Sequence, residues 1–122
     1  MYEVYFYKDK NGKEPIKDYL LNLSNNTDKD SRINFNKIRD YIKILQLHGT
    51  RAGEPFIKHI DGDIWELRPL KNRILFVGWV NNNFILLHHF VKNTQKTPKK
   101  EIEKAKSNMI DFIKRGGINE QK

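Results

Sequence analysis

The chain contains no cysteine. Disulfides, thiolate metal sites and cysteine nucleophiles are therefore excluded, and a reducing cytoplasm suits it. Long apolar runs are absent too, and none approaches the ~20 residues that span a bilayer. The opening residues, Met1 to Lys10, have no basic segment ahead of an apolar one, so no secretory leader is expected. Also absent are a glycine-rich phosphate loop, a serine nucleophile elbow, a paired-carboxylate motif and a His-x₃-His metal pattern. No cofactor and no metal are expected. Acidic side chains are scarce: 15 Asp and Glu stand against 23 Lys and Arg, a formal charge of +8. With a pI near 9.7, a polyanionic partner is favoured, either nucleic acid or an acidic protein surface.

What is present is ordinary for a globular protein. Of 122 residues, 38% are apolar and 31% charged, which fits one domain over 1–117 and a frayed tail at 118–122. The cationic excess is local. Lys92, Lys96, Lys99, Lys100, Lys104 and Lys106 crowd one short stretch, opposed there by Glu101 and Glu103. Local clustering favours a site over a merely solvated surface.

Periodicity gives the order β-α-α-β-β-β-β-α. Residues 2–7 read as a strand, and Asn11-Gly12 turns the chain toward a helix opened by Pro15. Ile16, Tyr19, Leu20 and Leu23 share one face of it. A longer helix follows over about 28–48, striped by Ile38, Tyr41, Ile42 and Leu45 and stopped by Gly49. The two helices form a hairpin fit to cover one sheet face. After a loop at 50–55, strands at 56–60, 64–68, 73–80 and 84–91 make an antiparallel meander, with turns at Gly62, at Leu70-Lys71-Asn72 and at Asn81 to Asn83. Thr97 is expected as N-cap and Pro98 as first residue of a basic last helix. Its apolar face is Ile102, Ala105, Met109, Phe112 and Ile113, and Gly116-Gly117 ends it.

Strand alternation sorts the polar groups. Glu66 and Arg68 share one side and Trp65 and Leu67 the other. Arg73, Leu75, Val77 and Trp79 alternate with Ile74, Phe76 and Gly78. Leu86, His88, Phe90 and Lys92 alternate with Leu87, His89 and Val91, so the adjacent histidines point to opposite faces.

The run WELRP (Trp65 to Pro69), Arg73 at the head of an apolar strand, and LLHHFVKNTQKTPKKEIEKA (Leu86 to Ala105) together resemble the HigB-type toxins. These form the phage-derived branch of the RelE/ParE toxin superfamily. The resemblance in order of elements covers nearly the whole chain, and the segment FVKNTQKTP is its most specific part. It implies a RelE-like α+β fold with an antiparallel sheet, the helical hairpin on one face and the cleavage site on the other. It also implies a cytoplasmic, metal-independent mRNA endoribonuclease acting on the ribosome. A helix-turn-helix antitoxin of HigA type would inhibit it, as a heterotetramer. No tyrosine lies near the last strand, where several relatives use one.

RNA carries its own nucleophile, the 2′-OH. Its cleavage requires alignment with the phosphate, stabilisation of the phosphoryl oxygens and a proton for the 5′-oxygen. Arg68 and Arg73, at the two ends of one turn, offer forked donors. His88 brings imidazole, the side chain suited to proton transfer near neutrality. Lys92 and Lys96 can hold the backbone or neutralise the transition state. Glu66 can orient an arginine or serve as a base. Lys71, Lys99, Lys100 and Lys104 fit RNA binding. Lys99 and Lys100 oppose the dipole of the last helix, a placement that suits a docked anion.

Simpler roles remain open: a surface pair for Glu66 and Arg68, a core histidine at His88, a solvated turn residue at Arg73. Two rival functions also remain, a toxin that binds an acidic protein such as gyrase and a plain RNA-binding module.

Overall fold

The computed structural model describes residues 1–117; the tail expected at 118–122 lies outside them. The chain runs β1 (Glu3–Phe6), α1 (Pro15–Asn25), α2 (Lys29–His48), a short 3₁₀ turn (Gly49–Ala52), β2 (Ile57–Asp61), β3 (Ile64–Leu67), β4 (Asn72–Trp79), β5 (Asn83–Val91) and α3 (Lys99–Lys114). The element order matches that expected, and a 3₁₀ turn runs from the expected helix stop at Gly49 into the loop at 50–55.

The five strands lie in the order β1-β5-β4-β3-β2. β2 to β5 form the expected antiparallel meander, whereas β1 pairs β5 in parallel, Val4 opposite Phe84 and Phe6 opposite Leu86. The sheet is therefore mixed, not antiparallel throughout. The helical hairpin and three strands separate β1 from β5 in sequence, so no tight turn fixes their relative direction.

α1 and α2 cover one face. Ile16, Leu23, Ile38 and Leu45 pack there against Ile57, Leu67, Ile74, Phe76, Phe84 and Leu86. α2 begins where the Asp28 side chain accepts the Ser31 amide at 2.8 Å, satisfying a donor the helix cannot. It ends at Gly49, whose φ of 61° favours glycine. A Cβ at Gly49 would also lie 2.8 Å from the Tyr2 ring.

α3 covers the middle of the other face. Ala105 and Phe112 pack with Tyr7, Ile64, Leu75, Val77, Ile85, Leu87 and Phe90. Ile113, assigned to the buried stripe of α3, is instead 48% exposed, one residue past Phe112 and so off the stripe's centre. Thr97 does not cap α3. Pro98 holds the N-cap position and, lacking a side-chain acceptor, leaves the helix without a side-chain cap, while Thr97, one residue earlier, donates its hydroxyl to Glu66.

One irregularity decides the placement of the histidines. Leu75 pairs with His88 but Phe76 pairs with Leu86, so Leu87 is an extra residue, a β-bulge. Its carbonyl accepts the Asn108 side-chain amide at 2.8 Å, which satisfies a buried polar group of α3. The bulge corrects the expected alternation: Leu86 faces the helical hairpin, while His88 and Phe90 face the α3 side. His88 and His89 still diverge to opposite faces, as expected.

Candidate functional site

Three neighbouring strands deliver the polar cluster. Glu66 on β3, Leu75 on β4 and His88 on β5 lie side by side in register. Arg73 stands two residues before Leu75 on the same face, and Arg68 leaves β3 two residues after Glu66. The site thus sits where β4 begins and β5 ends, beside the N-terminus of α3.

Glu66 is its hub and is fully buried. Its Oε2 accepts the Thr97 hydroxyl at 2.7 Å. Its Oε1 lies 3.3 Å from Arg68 Nε and 3.8 Å from Arg73 Nε. Although both pairs are within ionic range, neither Glu66 Oε1 nor Arg68 Nε makes a hydrogen bond. One carboxylate therefore stands between two guanidinium groups without committing that oxygen to either. Of its two expected roles, orienting arginines fits this geometry; a base would need access that burial denies.

Arg73 is 6% exposed, so it is no solvated turn residue. Its Nη1 donates to the carbonyls of Leu70 and Asn72, both at 2.8 Å. Leu70 is held at φ 58°, a left-handed conformation unusual for a branched side chain. Burial, and then the charge of Arg68, pull the Arg73 guanidinium below its ordinary range, with Glu66 opposing. Arginine stays cationic at neutral pH despite this. Arg68 also reaches Glu54 at 3.6 Å, a more exposed contact.

His88 contacts the first turn of α3, its Nε2 2.7 Å from Glu101 Oε1. A carboxylate oxygen accepts here, so the bonded Nε2 carries the hydrogen, and in the neutral imidazole the lone pair then sits on Nδ1. The side chain remains a fifth exposed, which separates it from a sealed core histidine.

The lysines are positioned by the backbone. The segment between β5 and α3 is pinned at its start by Lys92 N–H to the Lys71 carbonyl at 2.9 Å and at its end by Thr97 to Glu66. Thr94 stabilises the turn between by donating to the Lys96 carbonyl at 2.7 Å. Lys96, Lys99, Lys100, Lys104 and Lys71 are exposed, and Lys92 is half-buried. Lys106, counted in the cationic stretch, instead pairs with Asp61 at 2.7 Å.

Sequence reasoning missed two members. Thr97 looked like a cap because Thr before Pro usually is one. Glu101 looked like charge opposing the lysines; its place in a first helical turn, one step from a β-strand exit carrying a histidine, was the available signal. On the opposite face, His89 donates Nε2–H to Asn72 Oδ1 at 2.9 Å and stacks on Tyr19 at 4.1 Å, so it takes no part in the cluster. Among the described residues, no group of three or more His, Asp or Glu side chains is placed to hold a metal ion. Nor is any helix among them long and apolar enough to cross a membrane.

A five-stranded mixed sheet, a helical hairpin on one face and an arginine–lysine cluster beside the last helix on the other agree with the RelE-like class of small α+β domains. Within that class, the family model described as "Phage derived protein Gp49-like (DUF891)" matches residues 19–110. The chain belongs to this phage-derived, toxin-like family. The match takes in α2, the whole meander and every site residue discussed above. No curated protein matches the chain.

Proposed function

We propose that this protein is the toxin of a HigB-type toxin–antitoxin pair, cutting mRNA on the ribosome. The observation that carries this reading is the pair of arginines sharing one buried carboxylate beside a pinned, lysine-rich segment. Two cations held together against their repulsion, with the Arg68 side chain still about a fifth exposed, form a seat for a phosphodiester.

The chemistry follows from the groups present. The 2′-oxygen attacks phosphorus in line, the 5′-oxygen departs, and a 2′,3′-cyclic phosphate remains. Arg68 and Arg73 stabilise the charge that builds on the phosphoryl oxygens. His88, its tautomer held by Glu101, presents Nδ1 to take the 2′-proton or, once protonated, to give one to the leaving oxygen. Lys92 and Lys96 hold the backbone on either side of the scissile bond, and Lys71, Lys99, Lys100 and Lys104 extend the cationic track. A helix-turn-helix antitoxin of HigA type with acidic segments is the complementary partner.

The test is cleavage of a translated mRNA in a purified translation mix, mapped by primer extension, with Arg73→Ala alongside. Discrete in-frame cuts that vanish in the variant support the reading. Unimpaired translation without cuts overturns it, and gyrase inhibition or salt-sensitive RNA binding would then separate the two rivals.

A further inference from the structure

Thr97 donates its hydroxyl to a fully buried carboxylate 31 residues earlier in the chain. Threonine at a helix start ordinarily accepts a hydrogen bond from the first-turn amides, yet α3 has no side-chain cap. The hydroxyl is aimed instead at Glu66 Oε2. That bond sets the rotation of the carboxylate and so places Oε1 between Arg68 Nε and Arg73 Nε, 3.3 and 3.8 Å away. Carboxylate–guanidinium pairs are frequently bidentate, both oxygens bonding the arginine. Here one oxygen bonds the segment that carries the lysines, and the other faces the arginines without bonding them.

The same segment is anchored twice more, through Lys92 N–H to the Lys71 carbonyl and through Glu101 to His88. Lys96 stands between these anchors, next to Thr97 in sequence. We infer that Thr97 is a positioning residue: through Glu66 it registers the Lys92–Lys96 segment against Arg68 and Arg73, so that both sets of cations meet one RNA backbone. This rests on the phosphodiester reading above, but the bond network itself is open to a test that needs no RNA.

Thr97→Val keeps shape and β-branching and removes the donor; Thr97→Ser keeps the donor. The Nε–Hε resonances of Arg68 and Arg73, assigned from Arg68→Lys and Arg73→Lys, report the arginines directly. Affinity for a short RNA with 2′-O-methyl groups, which cannot be cut, reports the joint site. Thr97→Val is expected to shift both resonances, speed their hydrogen exchange and weaken RNA binding roughly tenfold, as loss of one hydrogen bond to a charged group allows. Thr97→Ser is expected to restore all three. Unchanged arginine resonances with affinity within about twofold of wild type, or failure of Thr97→Ser to restore them, overturns the inference. If Thr97→Val does not fold, Glu66→Gln replaces it: it keeps an acceptor for Thr97 and removes the charge between the arginines. It should then shift both resonances while Thr97 stays bonded, and unchanged resonances overturn the inference. If wild-type protein binds no RNA off the ribosome, the resonances alone decide the role of Thr97, and the ribonuclease reading stands or falls on the translation assay above.

Discussion

Two polar clusters sit at the same end of the sheet, back to back, built from adjacent residues. Asn72 and His89 face the helical hairpin; Arg73 and His88 face α3. On the hairpin side every group is neutral and satisfied. Asn72 Oδ1 accepts from Tyr19 at 3.0 Å and from His89 at 2.9 Å, and its Nδ2 donates to Asn34 Oδ1 at 2.8 Å and the Pro69 carbonyl at 3.2 Å. On the α3 side the groups are charged, and a donor and an acceptor are left over. Satisfied neutral networks specify a fold, whereas two guanidinium groups gathered around one carboxylate keep an excess of positive charge that attracts an anion. Residue type does not separate the two clusters; environment does.

The largest break in this comparison comes from Arg73→Ala. RNA cleavage is expected to fall at least about 100-fold, the scale of removing one donor to a developing oxyanion. Measured per folded molecule, with folding followed by circular dichroism, the loss should persist. Full activity in a folded variant would move the site elsewhere.

The mirror experiment is Asn72→Ala. It strips partners from Tyr19, His89 and Asn34, and about 3 kcal/mol of stability should go with them by urea denaturation. Cleavage per folded molecule should stay within a few-fold of wild type. A collapse of activity at full folding would mean that the hairpin-side network also serves the reaction.

The elements were legible because alternation and turn residues act locally. Glu66 and Arg68 could be placed on one face from β3 alone, whereas bringing Arg73 to that face took the register of Glu66 against Leu75. The bulge at Leu87 could not be read, since it depends on how β5 meets β4 and on an amide supplied by Asn108. The parallel pairing of β1 was hidden for the same reason: no sequence-local feature carries it. Thr97 and Glu101 act across 31 and 13 residues, so their partners emerge only once α3 docks. Helical spacing also overestimated the core stripe of α3 at Ile113.

pH sharpens the contrast between the two histidines. Burial, and secondly the charge of His88, push His89 down to about 4, against ~6.5 for a solvated histidine. Between those values the unfolded chain binds the proton and the folded chain does not. The stability contributed by neutral His89 is therefore complete above about pH 6.5 and is lost as pH falls toward 4, by roughly 3 kcal/mol. Urea midpoints at pH 7.5, 5.5 and 4 should show the decline, and His89→Gln should flatten it. An unchanged slope in that variant would assign the effect to another group.

The smallest effect tests whether the cationic track belongs to the α3-side cluster at all. Lys99 and Lys100 stand exposed in the first turn of α3, where their charge opposes the helix dipole. If RNA crosses there, each lysine releases about one counterion, and each Gln substitution lowers the log–log salt slope by about 0.7 for a single strand. The same substitutions relieve the dipole conflict, so stability should hold or rise by a few tenths of a kcal/mol. Lys106→Gln is the internal control, because Lys106 already pairs with Asp61 at 2.7 Å and should leave the slope nearly unchanged. Equal slopes for all three variants would detach α3 from the RNA path and leave the arginine cluster and the pinned segment as the whole of the contact.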